Sequence, residues 1–144
     1  MLSDKNAMAT VPVKDMEAAK KFYGETLGLK PDGMETADVV TYRSGNSRLL
    51  VYRSDFAGTN KATTATWGIG NELENEVRRL KSAGVTFEHY DYPGLRLEGD
   101  IHIAGAFKAA WFKDPDGNSL CAVTPPNTTK SEAQVAAHRG ISSQ

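Results

Sequence analysis

The sequence is poor in the features that mark secreted, membrane and nucleic-acid-binding proteins. Its single cysteine, Cys121, excludes an internal disulfide and favours a reducing compartment. The net charge is −1 and the basic residues are dispersed, so the chain offers no charged surface for nucleic acid. No apolar run approaches the roughly 20 residues that span a bilayer, and the N-terminal residues lack the pattern of a secretory signal. We therefore predict a cytoplasmic protein that binds neither nucleic acid nor membrane.

What the sequence does contain is a tight turn between two apolar segments. Residues 114–118 read Asp-Pro-Asp-Gly-Asn, in which proline fixes φ and glycine supplies a positive φ. The flanking residues 109–112 and 120–123 are short and apolar enough to be half-buried strands. We interpret Asp114 and Asp116 as turn-forming residues and not as catalytic acids, because aspartate side chains bond to nearby backbone in turns.

A similar order of residues occurs earlier in the chain and indicates an internal repeat. Both copies, at 42–51 and 112–123, have an aromatic residue, a basic residue, a turn with Gly-Asn-Ser and an apolar strand. An amphipathic helix precedes each copy, one after the N-cap Asp15 and one after Asn71, which Glu74 completes as a capping-box pair. The pattern of strand, helix and three strands therefore occurs twice.

We predict an α+β fold in a single domain, 1–144, built from two tandem βαβββ modules. The boundaries are about 7–54 for module one, 55–62 for a linker, 63–124 for module two and 125–144 for a tail. A βαβββ unit buries one face of its sheet against its helix, so the other face must be covered by another part of the protein or by a ligand. We expect the two modules to form a curved mixed sheet around a cleft.

Four elements of the second half of the chain are predicted from local composition. A β-branched and aromatic content predicts a strand over 85–90. A loop with proline and glycine follows over 91–100, and one continuous strand is expected over 102–112. A capping pair predicts a short terminal helix from Ser131 to His138.

This arrangement resembles the vicinal oxygen chelate superfamily, which includes glyoxalase I, extradiol dioxygenases, fosfomycin-resistance enzymes and bleomycin-resistance proteins. The resemblance is carried by Val-Lys-Asp at 13–15, Ala-Lys-Lys-Phe-Tyr at 19–23, Leu-Gly-Leu at 27–29 and the turn at 114–118. It covers about residues 7–124 and implies the paired βαβββ fold. These motifs are structural, so they specify the fold better than the function.

The resemblance also marks the positions where metal-dependent members carry their His, Gln or Glu ligands. The corresponding residues here are Met8, Leu49, Thr64 and Cys121, with Leu50 as an alternative to Leu49 because that register is less certain. Methionine and leucine offer no donor for a catalytic divalent ion, and threonine is a weak one. The resemblance therefore implies a branch without a metal, and we expect no other cofactor.

Strand alternation identifies the residues that line the cleft. It places Met8 and Thr10 opposite the valines of the first strand, and Thr64 and Thr66 opposite Trp67. One of Trp111 and Phe112 must face the cleft. The predicted ligand-binding residues are Met8, Thr10, Tyr42, Leu49, Thr64, Thr66, His102, Trp111 and Cys121.

Two of these residues have a second interpretation. His102 either reaches the cleft mouth or is an ordinary surface or satisfied histidine. Cys121 is either a nucleophile, for which no base is identified, or a small buried hydrophobe. We assign no catalytic residue.

The leading functional hypothesis is a metal-independent small-molecule-binding protein resembling the bleomycin-resistance proteins, which would sequester a planar or amphipathic compound. A glyoxalase-like lyase or isomerase using side-chain acid and base groups is the second hypothesis. A dimeric, non-catalytic domain that binds a partner protein is the third. We expect a homodimer, because exposed sheet edges gain by pairing and the resembled families are commonly dimeric.

Overall fold

The computed structural model describes residues 1–124, apart from the side chain of Leu2. The predicted helix from Ser131 to His138 lies outside the described residues. Within the described part of the chain, no helix is long and apolar enough to cross a membrane. The chain divides into two compact units, one of Met1–Ala65 with Phe112–Leu120 and one of Thr66–Trp111 with the segment from Cys121 onward.

The described chain contains two α-helices and ten strands, which confirms the α+β class. The elements are β1 Ala9–Val13, α1 Met16–Lys20, β2 Lys30–Glu35, β3 Val39–Ser44, β4 Ser47–Arg53, β5 Thr63–Gly68, α2 Leu73–Ser82, β6 Phe87–Glu88, β7 Arg96–Glu98, β8 Ile101–Ala104, β9 Phe107–Lys113 and β10 Ser119–Val123. A π-helix, Lys21–Thr26, continues α1, and short 3-10 helices cover Leu2–Asp4 and Gly70–Glu72. The strands form sheets in the orders β1-β4-β3-β2 and β5-β10-β9-β8-β7, with β6 pairing β9.

The first unit follows the local signals of its sequence. Asp15 is the N-cap of α1 and accepts a hydrogen bond from the backbone N–H of Ala18 at 3.1 Å, as its residue type predicts. Gly28 follows the helical segment with φ +77°, a conformation that glycine adopts without strain. β1 is an edge strand, which explains how it tolerates Pro12.

The second unit departs from the predicted helix start. α2 begins at Leu73 after a 3-10 turn, and its N-cap is Glu72, whose side chain makes no capping bond. The predicted capping pair of Asn71 and Glu74 is therefore wrong. The Glu74 carboxylate instead accepts a hydrogen bond from Lys108 Nζ at 2.8 Å, a charge-assisted contact that a capping box cannot offer.

The region after α2 contains more strands than predicted. The expected single strand over 102–112 is two strands, β8 and β9, joined by a hairpin in which Ala104 pairs with Phe107. Gly105 has φ +61° at this turn, which short hairpin loops require. The expected loop over 91–100 contains β7, and the expected strand over 85–90 shortens to β6. The stretch is largely apolar and Gly105 is its one turn-forming residue, so the sequence signal for the hairpin is weak.

The turn at 114–118 is hydrogen-bonded to two other parts of the first unit, the helical segment and β1. Asp114 is buried, and its carboxylate accepts hydrogen bonds from Tyr23 OH at 2.8 Å and from the backbone N–H groups of Asp116 and Asn118 at 3.0 and 2.9 Å. Asn118 Nδ2 donates to the Pro12 carbonyl at 2.7 Å. The interpretation of Asp114 as a turn-forming residue is therefore confirmed, since its acceptor positions are used within the fold.

Candidate functional site

In the first unit, strand register separates the predicted ligand residues onto two faces of the sheet. Leu49 lies between Ala9 and Tyr42 across the three strands. The Tyr42 ring packs on that of Tyr23 in the helical segment, with centroids 6.2 Å apart. This row of residues therefore faces the helix, and Tyr42 and Leu49 are 2% and 3% exposed. Their prediction as cleft-lining residues is corrected, because they belong to the helix-side core.

The face of this sheet that points away from the helix carries the other predicted residues. Thr10 pairs with Leu50, which in turn pairs with Thr41. Leu50, the alternative register, is therefore the residue that shares a face with Thr10. Met8 precedes β1 and is 41% exposed, and its carbonyl accepts a hydrogen bond from the Thr10 hydroxyl at 3.3 Å.

The same face carries a charged group that the sequence analysis missed. Arg43 and Arg48 are cross-strand partners, and both guanidinium groups contact Asp32 Oδ2, at 3.0 and 3.1 Å. Hydrogen bonds from Arg43 and then Arg48 hold the pKa of the Asp32 carboxyl below its usual range. The only sequence signal was the placement of the two arginines on either side of the first Gly-Asn turn.

In β5, alternation agrees with the predicted orientation of the threonines. Ala65 is buried, whereas Thr66 is exposed and Thr64 is half-buried. Thr64 and Thr66 therefore lie on the face opposite Ala65. Trp67 shares the face of Ala65 and is half-buried, as its assignment to the helix side requires.

In the second unit, the face of β9 that points toward α2 is identified by Lys108. Its ammonium binds Glu74 of α2, and its cross-strand partner Ile103 is buried. Alternation then places Trp111 on the opposite face, together with the buried pair His102 and Ala109. Trp111 is therefore an aromatic residue of the second unit that faces away from α2.

Cys121 belongs to the same face of the sheet, the one opposite α2. The backbone N–H of Thr124 donates to the Lys108 carbonyl at 2.9 Å, and counting from this pair along the antiparallel hairpin sets Cys121 opposite Trp111. The Cys121 side chain is 3% exposed, and burial raises the pKa of its thiol to about 12. The thiol is therefore protonated at neutral pH, which fits a small buried hydrophobe and not a nucleophile.

His102 is the centre of an aromatic cluster. Its ring centroid lies 5.0 Å from Trp111 and 5.8 Å from Tyr90, and Tyr90 and Trp111 are 5.5 Å apart. Nε2 of His102 accepts a hydrogen bond from the Tyr90 backbone N–H at 2.8 Å. Within residues 1–124, Nδ1 of His102 has no hydrogen-bond partner. His102 is fully buried and is therefore not a surface residue, and among the described residues only one of its two ring nitrogens is hydrogen-bonded.

The donor chemistry of the family's ligand positions does not fit a divalent metal. These positions carry the Met8 thioether, an aliphatic side chain at Leu49 or Leu50, the Thr64 hydroxyl and the protonated Cys121 thiol. Catalytic metals of this kind require imidazole, carboxylate or thiolate donors. In the described part of the chain, no three His, Cys, Asp or Glu side chains cluster as a metal site would require.

Comparisons with known proteins agree with this architecture. The family model of the Glyoxalase/Bleomycin resistance protein/Dioxygenase superfamily matches residues 6–122. The glyoxalase family protein from Enterococcus faecalis is similar with TM-score 0.65 and 19% identity, over 86% of this chain and 100% of that chain. No curated protein matches the sequence significantly.

Two further solved structures have named activities. Lactoylglutathione lyase from Agrobacterium tumefaciens is similar with TM-score 0.62 and 17% identity, over 82% of this chain and 91% of that chain. The fosfomycin resistance protein FosX from Mesorhizobium loti is similar with TM-score 0.62 and 12% identity, over 93% and 99%. At these identities the likeness shows the fold alone.

Proposed function

Because the chain belongs to the Glyoxalase/Bleomycin resistance protein/Dioxygenase superfamily, we propose that it is a small-molecule-binding protein that acts without a metal. Its ligand would be a planar or amphipathic compound that is sequestered and not converted. The observation that carries this proposal is the face of the second unit opposite α2. There an aromatic cluster surrounds a buried histidine whose Nδ1 has no hydrogen-bond partner within residues 1–124. The lone, protonated cysteine fits a reducing cytoplasm as the site of action.

The physical basis is the uncharged character of the three side chains at the centre of this face. Trp111, His102 and the Cys121 thiol offer ring faces, ring edges and a polarisable sulfur, which suit the burial of a flat apolar guest. Burial of apolar area contributes roughly 25 cal/mol per Å² before association costs. We keep four further residues as predicted ligand-binding residues, each on the face of the sheet where its strand places it: Met8, Thr10, Thr64 and Thr66.

A lyase or isomerase of the same fold remains the second candidate, and the His102 hydrogen bond speaks against it. A general base needs an unprotonated nitrogen within reach of the substrate. Nε2 of His102 is already engaged by the Tyr90 N–H, so the ring's remaining nitrogen carries the proton. The Cys121 thiol is protonated as well and supplies neither a base nor a nucleophile.

A thermal-shift screen against fractionated metabolite extract tests the proposal. We expect a fraction that raises the Tm of the wild-type protein, with mass spectrometry recovering the same compound before and after incubation. Trp111→Ala should abolish the shift, whereas Tyr92→Ala, at an aromatic residue that is 65% exposed, serves as the matched control and should retain it. Conversion of the recovered compound would favour the enzyme, and a shift unaffected by Trp111→Ala would contradict the proposed face.

A further inference from the structure

Among the described residues of the second unit, one buried side-chain nitrogen has no hydrogen-bond partner. His102 is fully buried, and its Nε2 accepts the Tyr90 backbone N–H at 2.8 Å. A neutral imidazole has one donor and one acceptor nitrogen, so a ring that accepts at Nε2 carries its proton on Nδ1. Among residues 1–124, nothing accepts a hydrogen bond from that Nδ1–H.

An orphan donor of this kind indicates a missing partner. Most buried polar side-chain atoms in native proteins are paired, because a buried donor has given up its hydrogen bonds to water. A phenylalanine at position 102 would fill similar space beside Trp111 and avoid the unpaired Nδ1–H, but it would leave the Tyr90 backbone N–H without its acceptor. Histidine therefore serves the Tyr90 backbone through Nε2, and the tautomer that this bond fixes leaves the Nδ1–H available to an acceptor from outside the described fold.

The neighbouring rings restrict the shape of that acceptor. Trp111 meets His102 at an interplanar angle of 81°, and it meets Tyr90 at 73°. The Tyr90 ring is tilted 33° from the His102 ring, and Tyr90 is 41% exposed. Tyr90 is therefore the most exposed residue of the cluster, since Trp111 is half-buried and His102 is fully buried. Because Tyr90 holds His102 through its backbone, the phenol ring can rotate away while the tautomer stays fixed.

We propose that His102 Nδ1–H donates a hydrogen bond to a carbonyl or carboxylate oxygen of a flat, conjugated ligand that packs against Trp111 when the Tyr90 ring moves aside. This inference rests on the proposed function and specifies its ligand class. The anchor is a neutral donor, so it recognises an acceptor oxygen whether or not the ligand is charged. A hydrocarbon of the same shape would leave Nδ1 unpaired and bind more weakly.

Three small probes of similar shape test the inference: benzamide, benzoate and toluene. Trp67→Phe leaves Trp111 as the sole tryptophan, so its fluorescence reports binding at this cluster. We expect benzamide and benzoate to bind about tenfold more tightly than toluene, the preference that one hydrogen bond typically confers. Saturating benzamide should also shift the ¹⁵N resonance of His102 Nδ1.

Two substitutions separate the two nitrogens of His102. In His102→Asn the side-chain amide occupies the position of Nδ1 and can still donate, whereas in His102→Gln it occupies the position of Nε2 and can still accept from Tyr90. The preference for benzamide over toluene should persist in His102→Asn and disappear in His102→Gln. His89→Gln, at an exposed histidine outside the cluster, is the control and should retain the preference.

The outcomes separate this inference from the proposed function. Equal affinities for benzamide and toluene would show that the face binds ligands without the help of His102. That result would refute the proposed His102 hydrogen bond and leave the proposed function intact. An unchanged Nδ1 resonance at saturation, or the absence of binding by all three probes, also refutes this hydrogen bond, and the extract screen then decides the proposed function separately. If His102→Asn does not fold, the wild-type comparison and the Nδ1 resonance still decide.

Discussion

The hydroxyl of Tyr23 donates a hydrogen bond of 2.8 Å to the Asp114 carboxylate, joining two residues that are 91 positions apart in the chain. Burial, and then the negative charge of Asp114, raise the pKa of the Tyr23 phenol well above its usual range. The contact ties the helical segment after α1 to the turn at 114–118. Two further hydrogen bonds join the same parts of the chain, from Asn118 Nδ2 to the Pro12 carbonyl and from the Lys14 N–H to the Asp116 carboxylate.

Removing this hydroxyl should destabilise the protein. Tyr23→Phe leaves a buried carboxylate short of one donor, and hydrogen bonds to charged groups contribute about 2 kcal/mol. We expect the free energy of unfolding in urea to fall by about that amount. Tyr52→Phe, at a half-buried tyrosine of β4, is the control and should change it by less than about 0.5 kcal/mol. Equal effects of the two substitutions would contradict the role given to Asp114.

The two leucines of β4 test the corrected sheet face. Leu49 is buried on the helix side, so Leu49→Ala should cost about 2–4 kcal/mol of stability through the cavity it leaves. Leu50 lies on the other face and is half-buried, so Leu50→Ala should cost less than half as much. Denaturant titration of both variants decides the point, and a larger loss for Leu50→Ala would reverse the face assignment.

The first module could be predicted from sequence because its signals are local. Asp15 as N-cap, Gly28 after the helix and the Gly45 turn each act within a few residues, and all three occur as expected. The register of Leu49 against Leu50 was not predictable, since a shift of one residue moves every side chain to the opposite face. The pairing of β4 with β1 and with β3 determines this register.

The second module and the candidate site needed three-dimensional information. The hairpin lies within a largely apolar stretch, where Gly105 is the one turn-forming residue and a single glycine is a weak signal for a strand end. The capping-box pattern at Asn71 was overridden by Lys108, which is distant in sequence and attracts Glu74. His102 could be identified as a candidate from its residue type. Its hydrogen bond at Nε2 and its ring contacts depend on Tyr90 and Trp111, which no local sequence pattern places beside it.

We expect protein purified without an affinity tag to contain no stoichiometric transition metal. The family's ligand positions present a thioether at Met8 and a protonated thiol at Cys121, which are poor donors for such ions. Elemental analysis provides the measurement, with a chelator-treated sample as control for Tm. Stoichiometric zinc, nickel, iron or manganese whose removal lowers Tm or ligand binding would refute this expectation.

We also expect a homodimer, with light scattering giving twice the chain mass of 15.6 kDa at micromolar concentration. β2 and β7 lie at the ends of their sheet orders and carry exposed apolar residues, Met34 and Leu97. Unpaired edges with apolar side chains favour association. Met34→Lys and Leu97→Lys should identify the edge involved, because only the one at the interface will shift the mass toward that of a monomer. A wild-type monomer would rule the dimer out.

The buried Cys121 thiol should make stability fall as the solution becomes alkaline. Burial raises its pKa from 9.0 to about 12, so the folded protein keeps the proton while the unfolded chain releases it. A group whose folded pKa is raised stabilises the fold fully below its unfolded pKa, and that contribution is lost as pH rises toward the folded value. Between pH 8.5 and 10 the loss should be about 1 kcal/mol, at 1.36 kcal/mol per pKa unit.

Cys121→Ala isolates this contribution, because every other titrating group is common to both proteins. The difference in free energy of unfolding between wild type and Cys121→Ala should shrink by about 1 kcal/mol from pH 8.5 to 10, when both are measured in urea with a reductant. The thiol of the folded wild type should also resist alkylation at pH 8.5 and react once the chain is unfolded. A pH-independent difference, together with rapid alkylation of the folded protein, would mean that Cys121 is an accessible thiolate and would reopen its role as a nucleophile.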